Sequence, residues 1–244
     1  VEYKARVRGF VHPLVKRLGF TAQPKESEND SLLRPLVLLV AGTYGDEDVV
    51  ARALKMFTLS VKKGTASIPA DLRAVVYRLV AFAGGLPELQ YFKHLYKNAE
   101  SQEEQTRLTR AMCAFLKPEL VKKALEFSLT SAVRSQDAWR FVSYATHEPA
   151  AHPVVLRFVK DNWSWYMERY GSGGHALARI VQAFAGVFEE KVYRDVKAFF
   201  SKKPVPGAER AVQQVVEQME ASVLWHKRAR AEMITFLKQG TREG

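Results

Sequence analysis

The stretch Asp46-Glu47-Asp48-Val49-Val50-Ala51-Arg52-Ala53-Leu54-Lys55-Met56-Phe57-Thr58-Leu59-Ser60-Val61 decides the fold class. Val49, Val50, Ala53, Leu54, Phe57 and Val61 recur at steps of three and four, so an α-helix gathers them on one stripe while Arg52 and Lys55 fall elsewhere. Asp46 stands just ahead as an N-cap, where its carboxylate can take an orphaned backbone N–H. Working outward from this segment, the same period returns along nearly the whole chain. No sustained alternation of period two occurs, and no Asn-Gly or Asp-Gly hairpin dipeptide. The chain reads as all-α.

Punctuation divides the pattern into elements. Ile68-Pro69-Ala70-Asp71-Leu72-Arg73 puts proline in a first turn, and Gly84-Gly85 stops that helix. Leu86-Pro87-Glu88 opens another, Ser101 with Glu104 forms a capping box for a helix running towards Phe115, and Lys117-Pro118-Glu119 starts the next. Ser135 or Asp137 opens a further helix. Val155, Phe158, Val159, Asn162, Trp163 and Tyr166 continue the helical spacing until Gly171-Ser172-Gly173-Gly174 breaks it. Two more helices precede Ser201. Val212, Val215, Val216, Met219 and Val223 then begin a long terminal helix or helix pair reaching Gln239, with Gly240 as its stop.

About a dozen helices joined by roughly 2 to 6 residues must form antiparallel hairpins. Hairpins in series favour a superhelical stack of the HEAT or armadillo kind over a closed bundle. The expected organisation is one domain, 1–244: an entry helix and polar linker over 1–30, with Thr21 to Asp30 as the polar run, then the superhelix over 31–240.

The charge is +11, from 37 Lys and Arg against 26 Asp and Glu. A basic balance suits an anionic partner such as nucleic acid, acidic lipid or a carboxylate. Residues 1–25 carry +5 and residues 171–244 carry +4, and no segment is a dense arginine-rich arm, which disfavours nucleic acid. The longest uncharged apolar-biased stretch, Pro35 to Gly45, is half of what a membrane span needs, so no membrane partner is expected. One cysteine, Cys113, fits a reducing compartment and points to the cytoplasm. The first residue is Val, as in a piece of a longer chain.

Catalytic patterns are missing. His147-Glu148-Pro149-Ala150-Ala151-His152 resembles a zinc-protease signature, but its histidines are five apart, which on a helix turns the imidazoles away from each other, and two prolines break the helix. No nucleophile elbow, P-loop or dinucleotide fingerprint is found, and no metal site is expected. Basic clusters at Lys202-Lys203 and at Lys227, Arg228 and Arg230 beside Trp225 read as solvated helix faces. Among Trp163, Trp165 and Tyr166 one ring must leave the apolar stripe, and Trp165 is the expected partner contact.

The order of several motifs carries a resemblance. Ser31-Leu32-Leu33-Arg34, Ile68 to Tyr77, Val133-Arg134-Ser135-Gln136-Asp137, Phe158 to Trp163, Val196 to Phe200, Glu209 to Gln214, and Trp225 follow one another as in the C-terminal helical domain of zinc-dependent aminopeptidases of the gluzincin family. The chain resembles the puromycin-sensitive, cytosolic-type members most, over about residues 30 to 238. The resemblance implies a HEAT-like superhelix that arches over a catalytic domain absent from this sequence, as are the zinc helix and the N-terminus-binding loop. It implies zinc in the parent enzyme and no cofactor here. The implied partners are the catalytic domain of the same chain and peptide substrates, whose trailing part would lie along the inner surface.

By the same resemblance, Arg134, Gln136 and Asp137 are expected to face the substrate chamber or the domain interface, and His147, at the far end of that helix, to lie near substrate. The alternative for the trio is a cap and ion pair locking two helices. The alternative for the whole chain is a free-standing α-solenoid scaffold that binds a protein or RNA partner.

Overall fold

The computed structural model describes residues 2–171, 175–205 and 207–239, and these hold thirteen α-helices and no strand. In chain order they are α1 (Glu2–Leu18), α2 (Glu28–Thr43), α3 (Glu47–Lys63), α4 (Arg73–Ala83), α5 (Leu86–Lys97), α6 (Gln102–Met112), α7 (Pro118–Ser128), α8 (Ser135–Ala145), α9 (His152–Asp161), α10 (Trp163–Tyr170), α11 (His175–Gln182), α12 (Glu190–Lys202) and α13 (Glu209–Gln239). Single 3-10 turns, Thr65–Ser67 and Pro149–Ala151, precede α4 and α9. The all-α expectation holds.

Local chemistry sets most boundaries. Asp46 caps α3, its Oδ1 accepting the Val49 N–H at 3.1 Å. Ser27 caps α2, its Oγ accepting the Asp30 N–H at 3.2 Å, so this helix begins inside the run read as a polar linker. α4 opens at Arg73 instead of at Pro69, because the Leu72 N–H folds back on the Pro69 carbonyl in a turn. Only half of the capping box at α6 forms. Ser101 Oγ accepts the Glu104 N–H, but the Glu104 carboxylate turns to the Tyr77 hydroxyl at 2.7 Å and to Arg107 at 3.0 Å. The periodic run from Val155 to Tyr166 is two helices, split where Asn162 leaves helical geometry and its amide donates to the Phe158 carbonyl. Gly171 ends α10, whereas Ser172 to Gly174 and Gly240 lie outside the described residues.

The helices form two layers. α2, α4, α6, α8, α11 and α13 pack each against the next, and α5, α7, α9 and α12 do the same behind them, with α1 backing α2 and α3 backing α4. One apolar core runs between the layers, with Phe57, Tyr77, Phe92 and Phe115 at one end joined through Tyr96, Phe127 and Phe141 to the rest. Cys113 is buried in it, and burial pushes its thiol far above the ordinary range.

α13 has a different role. Its first half buries Ala211, Val215, Met219 and Val223, and no side chain from Leu224 to Lys238 is buried. A helix of 31 residues is about 46 Å long. That length carries it from α11 and α12 back to α1, where Arg6 donates to the Phe236 and Leu237 carbonyls at 3.5 Å and lies 5.1 Å over the Phe236 ring. The last carbonyls of a helix have no partner within it, and a cation there also meets the negative end of the helix dipole. Arg6 therefore serves as a cap supplied by the first helix to the last.

Candidate functional site: a basic trough beside the end of α8

α8 ends at Ala145, where Pro149 forbids further helix, and the chain makes the short turn that leads into α9. That turn leaves His147 more than a third exposed and buries His152 to 3 % exposure. Both nitrogens of His152 face acceptors: Nδ1 is 2.8 Å from Glu189 Oε2 and Nε2 is 2.9 Å from the Thr146 carbonyl. Glu189 is the residue just before α12, so one imidazole ties the α11–α12 connection to the foot of α8.

Three adjoining hollows surround this turn. The first, 560 Å³, lies between Trp139, Tyr144 and His147 on one side and Arg179, Gln182 and Phe188 on the other. The second, 250 Å³, shares Tyr144 and His147 with it and adds Arg78, Arg110, Ala114 and Glu148. The third, 460 Å³, shares Gly186 and Phe188 with the first and is walled by Ser222, Trp225 and His226 of α13. They form one trough, basic at the α4–α6 end and aromatic at the α13 end, where the Phe188 ring lies 4.7 Å from that of His226.

The electrostatics are one-sided. Arg78, Arg110 and Arg179 line the trough, and Glu148 is the one carboxylate among its described lining residues. Glu148 answers Arg78 at 3.5 Å, and burial lifts its carboxyl above the usual range although Arg78 opposes the shift. Arg110 lies 5.1 Å over the Tyr144 ring. Partial burial, followed by the charges of Arg78 and Arg110, holds His147 below the ordinary imidazole range. Such a surface attracts anions and repels cations.

The four residues expected from the sequence are divided between the ends of α8. His147 lines the trough just past the end of α8, and nine residues of helical rise, about 14 Å, separate Gln136 from that end. Asp137 is buried between two cations, with Arg134 Nε at 2.9 Å from one oxygen and Arg140 Nε at 3.1 Å from the other. Gln136 and Arg134 are exposed. Trp165 is half-buried against Tyr166 and Tyr170 with the Arg169 guanidinium 4.1 Å above it, while Trp225, 54 % exposed, is the ring presented to a cavity. Sequence reasoning missed Arg78, Arg110 and Arg179. One signal existed: Arg78 interrupts the apolar run Val75-Val76-Tyr77 and Leu79-Val80.

No group of three metal-ligating side chains exists among the described residues, and no helix there is long and apolar enough to cross a membrane. The sequence matches a known family. The model of the ERAP1-like C-terminal domain covers residues 1–221, and the chain belongs to that family. Similar proteins include Aminopeptidase M1-B of Oryza sativa subsp. japonica, 25% identical over 221 residues that make up 89% of this chain and 25% of that protein. Endoplasmic reticulum aminopeptidase 1 of Rattus norvegicus is 25% identical over 231 residues, 92% of this chain and 25% of that protein. Glutamyl aminopeptidase of Mus musculus is 26% identical over 221 residues, 89% of this chain and 23% of that protein. The chain thus spans about a quarter of the length of the curated relatives it matches.

Proposed function

We propose that this chain is the noncatalytic C-terminal domain of a zinc aminopeptidase, and that its trough receives the trailing part of a peptide while the catalytic domain removes residues from the other end. The observation that carries the reading is the charge of the trough, three guanidinium groups against one carboxylate. Every unmodified peptide ends in a carboxylate, which arginine pairs with strongly. The aromatic hollow at Phe188 and Trp225 offers the apolar contact that a peptide side chain needs. Covering the chamber would exclude water and align the scissile bond.

Zinc belongs to the catalytic part in this reading. Both nitrogens of His152 are already engaged by Glu189 and Thr146, so His147 and His152 do not form a ligand pair. The HEAT-like description rests on the two-layer stack of hairpins. The cytoplasmic assignment rests on the lone buried thiol. The exposed Arg134 and Gln136 supply a second contact from α8, to the peptide or the catalytic domain, with Asp137 holding Arg134 in place.

Titrating the isotope-labelled chain with a ten-residue peptide tests the reading. Movement of the His147 ring and Trp225 indole signals supports it; saturable binding that leaves both unmoved contradicts it. In the complete enzyme, Arg134→Ala should raise KM for long peptides more than for a dipeptide-sized reporter, and equal effects would remove Arg134 from the contact surface.

A further inference from the structure

The basic end of the trough holds more donors than the fold uses. Arg110 is exposed on α6 and has no carboxylate within salt-bridge distance among the described residues; its guanidinium rests on Tyr144 alone. Arg78 meets Glu148 through a terminal nitrogen, and its Nε is buried with no hydrogen-bond partner. His147 stands beside them, its ring 6.2 Å from that of Tyr144. A carboxylate placed here meets two guanidinium groups and an imidazole, and it crowds Glu148. An anion favours the imidazolium form of a neighbouring histidine and the neutral form of a neighbouring carboxyl group. Both responses draw protons from solvent.

We propose that the hollow between Arg78, Arg110 and His147 binds the C-terminal carboxylate of a peptide together with a proton, which His147 accepts, so that affinity for peptide tails rises as pH falls. This rests on the peptide-tail reading and adds its regulation. The charged and titratable groups facing His147 are Arg78 of α4, Arg110 of α6, Tyr144 of α8, the adjacent Glu148, and His152 and Arg179 across the first hollow. In the unliganded protein partial burial and the two arginines disfavour the imidazolium, so near neutral pH the ring is free to take the proton that the anion brings. As pH falls through the folded-state values of the two groups, His147 gains charge and Glu148 loses it, and the hollow, already net cationic, becomes more so.

Calorimetry on the 244-residue chain tests this, with a decapeptide as free acid and as C-terminal amide, from pH 6 to pH 8 in buffers of different ionisation enthalpy. The free acid should bind about tenfold tighter than the amide at pH 6 and about threefold tighter at pH 8, an average uptake of about a quarter of a proton over that range. His147→Gln should keep a preference for the acid but lose most of its pH dependence, leaving only the share that Glu148 contributes. Arg110→Gln should lose the preference at every pH. Both side chains are exposed, so neither substitution disturbs the core. A preference that is flat from pH 6 to pH 8, or a slope that His147→Gln leaves undiminished, overturns the proton coupling and leaves the peptide-tail reading standing. Absence of binding by both peptides overturns the two together.

Discussion

The His152 imidazole and the Glu189 carboxylate, 37 residues apart in the sequence, meet at 2.8 Å and join the foot of α8 to the start of α12. The other imidazole nitrogen, 2.9 Å from the Thr146 carbonyl, makes the ring a two-armed clamp. The loop it holds carries Gly186 and Phe188, which separate the mixed hollow from the aromatic one. A buried side chain with a purely structural task therefore sets the shape of the trough.

His152→Ala should cost about 2–4 kcal/mol, from a cavity and from the lost contacts to Glu189 and the Thr146 carbonyl. Glu189→Gln, which keeps the size and an acceptor, should cost about 1 kcal/mol. Urea unfolding measures both; equal losses would deny that burial of the imidazole matters.

The pH dependence of stability separates His147 from Glu148. The folded state disfavours the imidazolium of His147, so it binds fewer protons there than the unfolded chain, and stability rises with pH through the folded pKa up to the unfolded value near 6.5. Glu148 runs the other way, since its raised pKa makes stability fall as pH climbs from about 4.5 through its folded value. His147→Gln should thus gain relative to wild type at pH 5.5 compared with pH 8, and Glu148→Gln should gain at pH 8 compared with pH 4. Thermal unfolding at those pH values checks the signs.

Two helical glycines should respond oppositely to alanine. At Gly9 of α1 nothing lies within 4 Å of an added Cβ, so Gly9→Ala should stabilise by about 0.5–1 kcal/mol through helix propensity. At Gly42 of α2 the new Cβ would sit 2.5 Å from Leu79 Cδ2, in a fully buried side chain with nowhere to move. Overpacking of about 1–3 kcal/mol outweighs the same propensity gain there. Chemical denaturation of the pair gives both signs in one experiment.

Arg6→Ala should release the end of α13 and leave the rest of the fold intact. The tail from Leu224 to Lys238 buries no side chain; Lys227 pairs with Glu190 of α12 at 2.7 Å, and beyond it Arg6 donates to the Phe236 and Leu237 carbonyls. Hydrogen exchange at residues 229–238 should quicken at least about tenfold, with the melting temperature almost unchanged. A loss of global stability instead would make the contact part of the core.

What the sequence revealed and what it withheld divide along the range of the interactions. The Asp46 cap of α3, the prolines at α5 and α7 and the stripe of α13 were legible because each depends on residues three or four apart. The half-formed box at Ser101 was not, since the rival for Glu104 is Tyr77 on another helix. The break at Asn162 was hidden because apolar spacing continues across it. For the trough, His147 was named in advance through a family resemblance, whereas Arg78, Arg110 and Arg179 come from three different helices and meet only when α4, α6, α8 and α11 stack side by side.

Photo-crosslinking tests the central claim most directly. A decapeptide with a benzophenone side chain next to its free C-terminal carboxylate is irradiated with this chain, and the attachment sites are read by mass spectrometry. The account predicts attachment to residues around the trough, on the segments 78–82, 110–114, 139–152 and 179–188, reduced by Arg110→Gln. Attachment concentrated on the outer layer, on α5, α7 or α12, or unaffected by amidating the carboxylate, would contradict it.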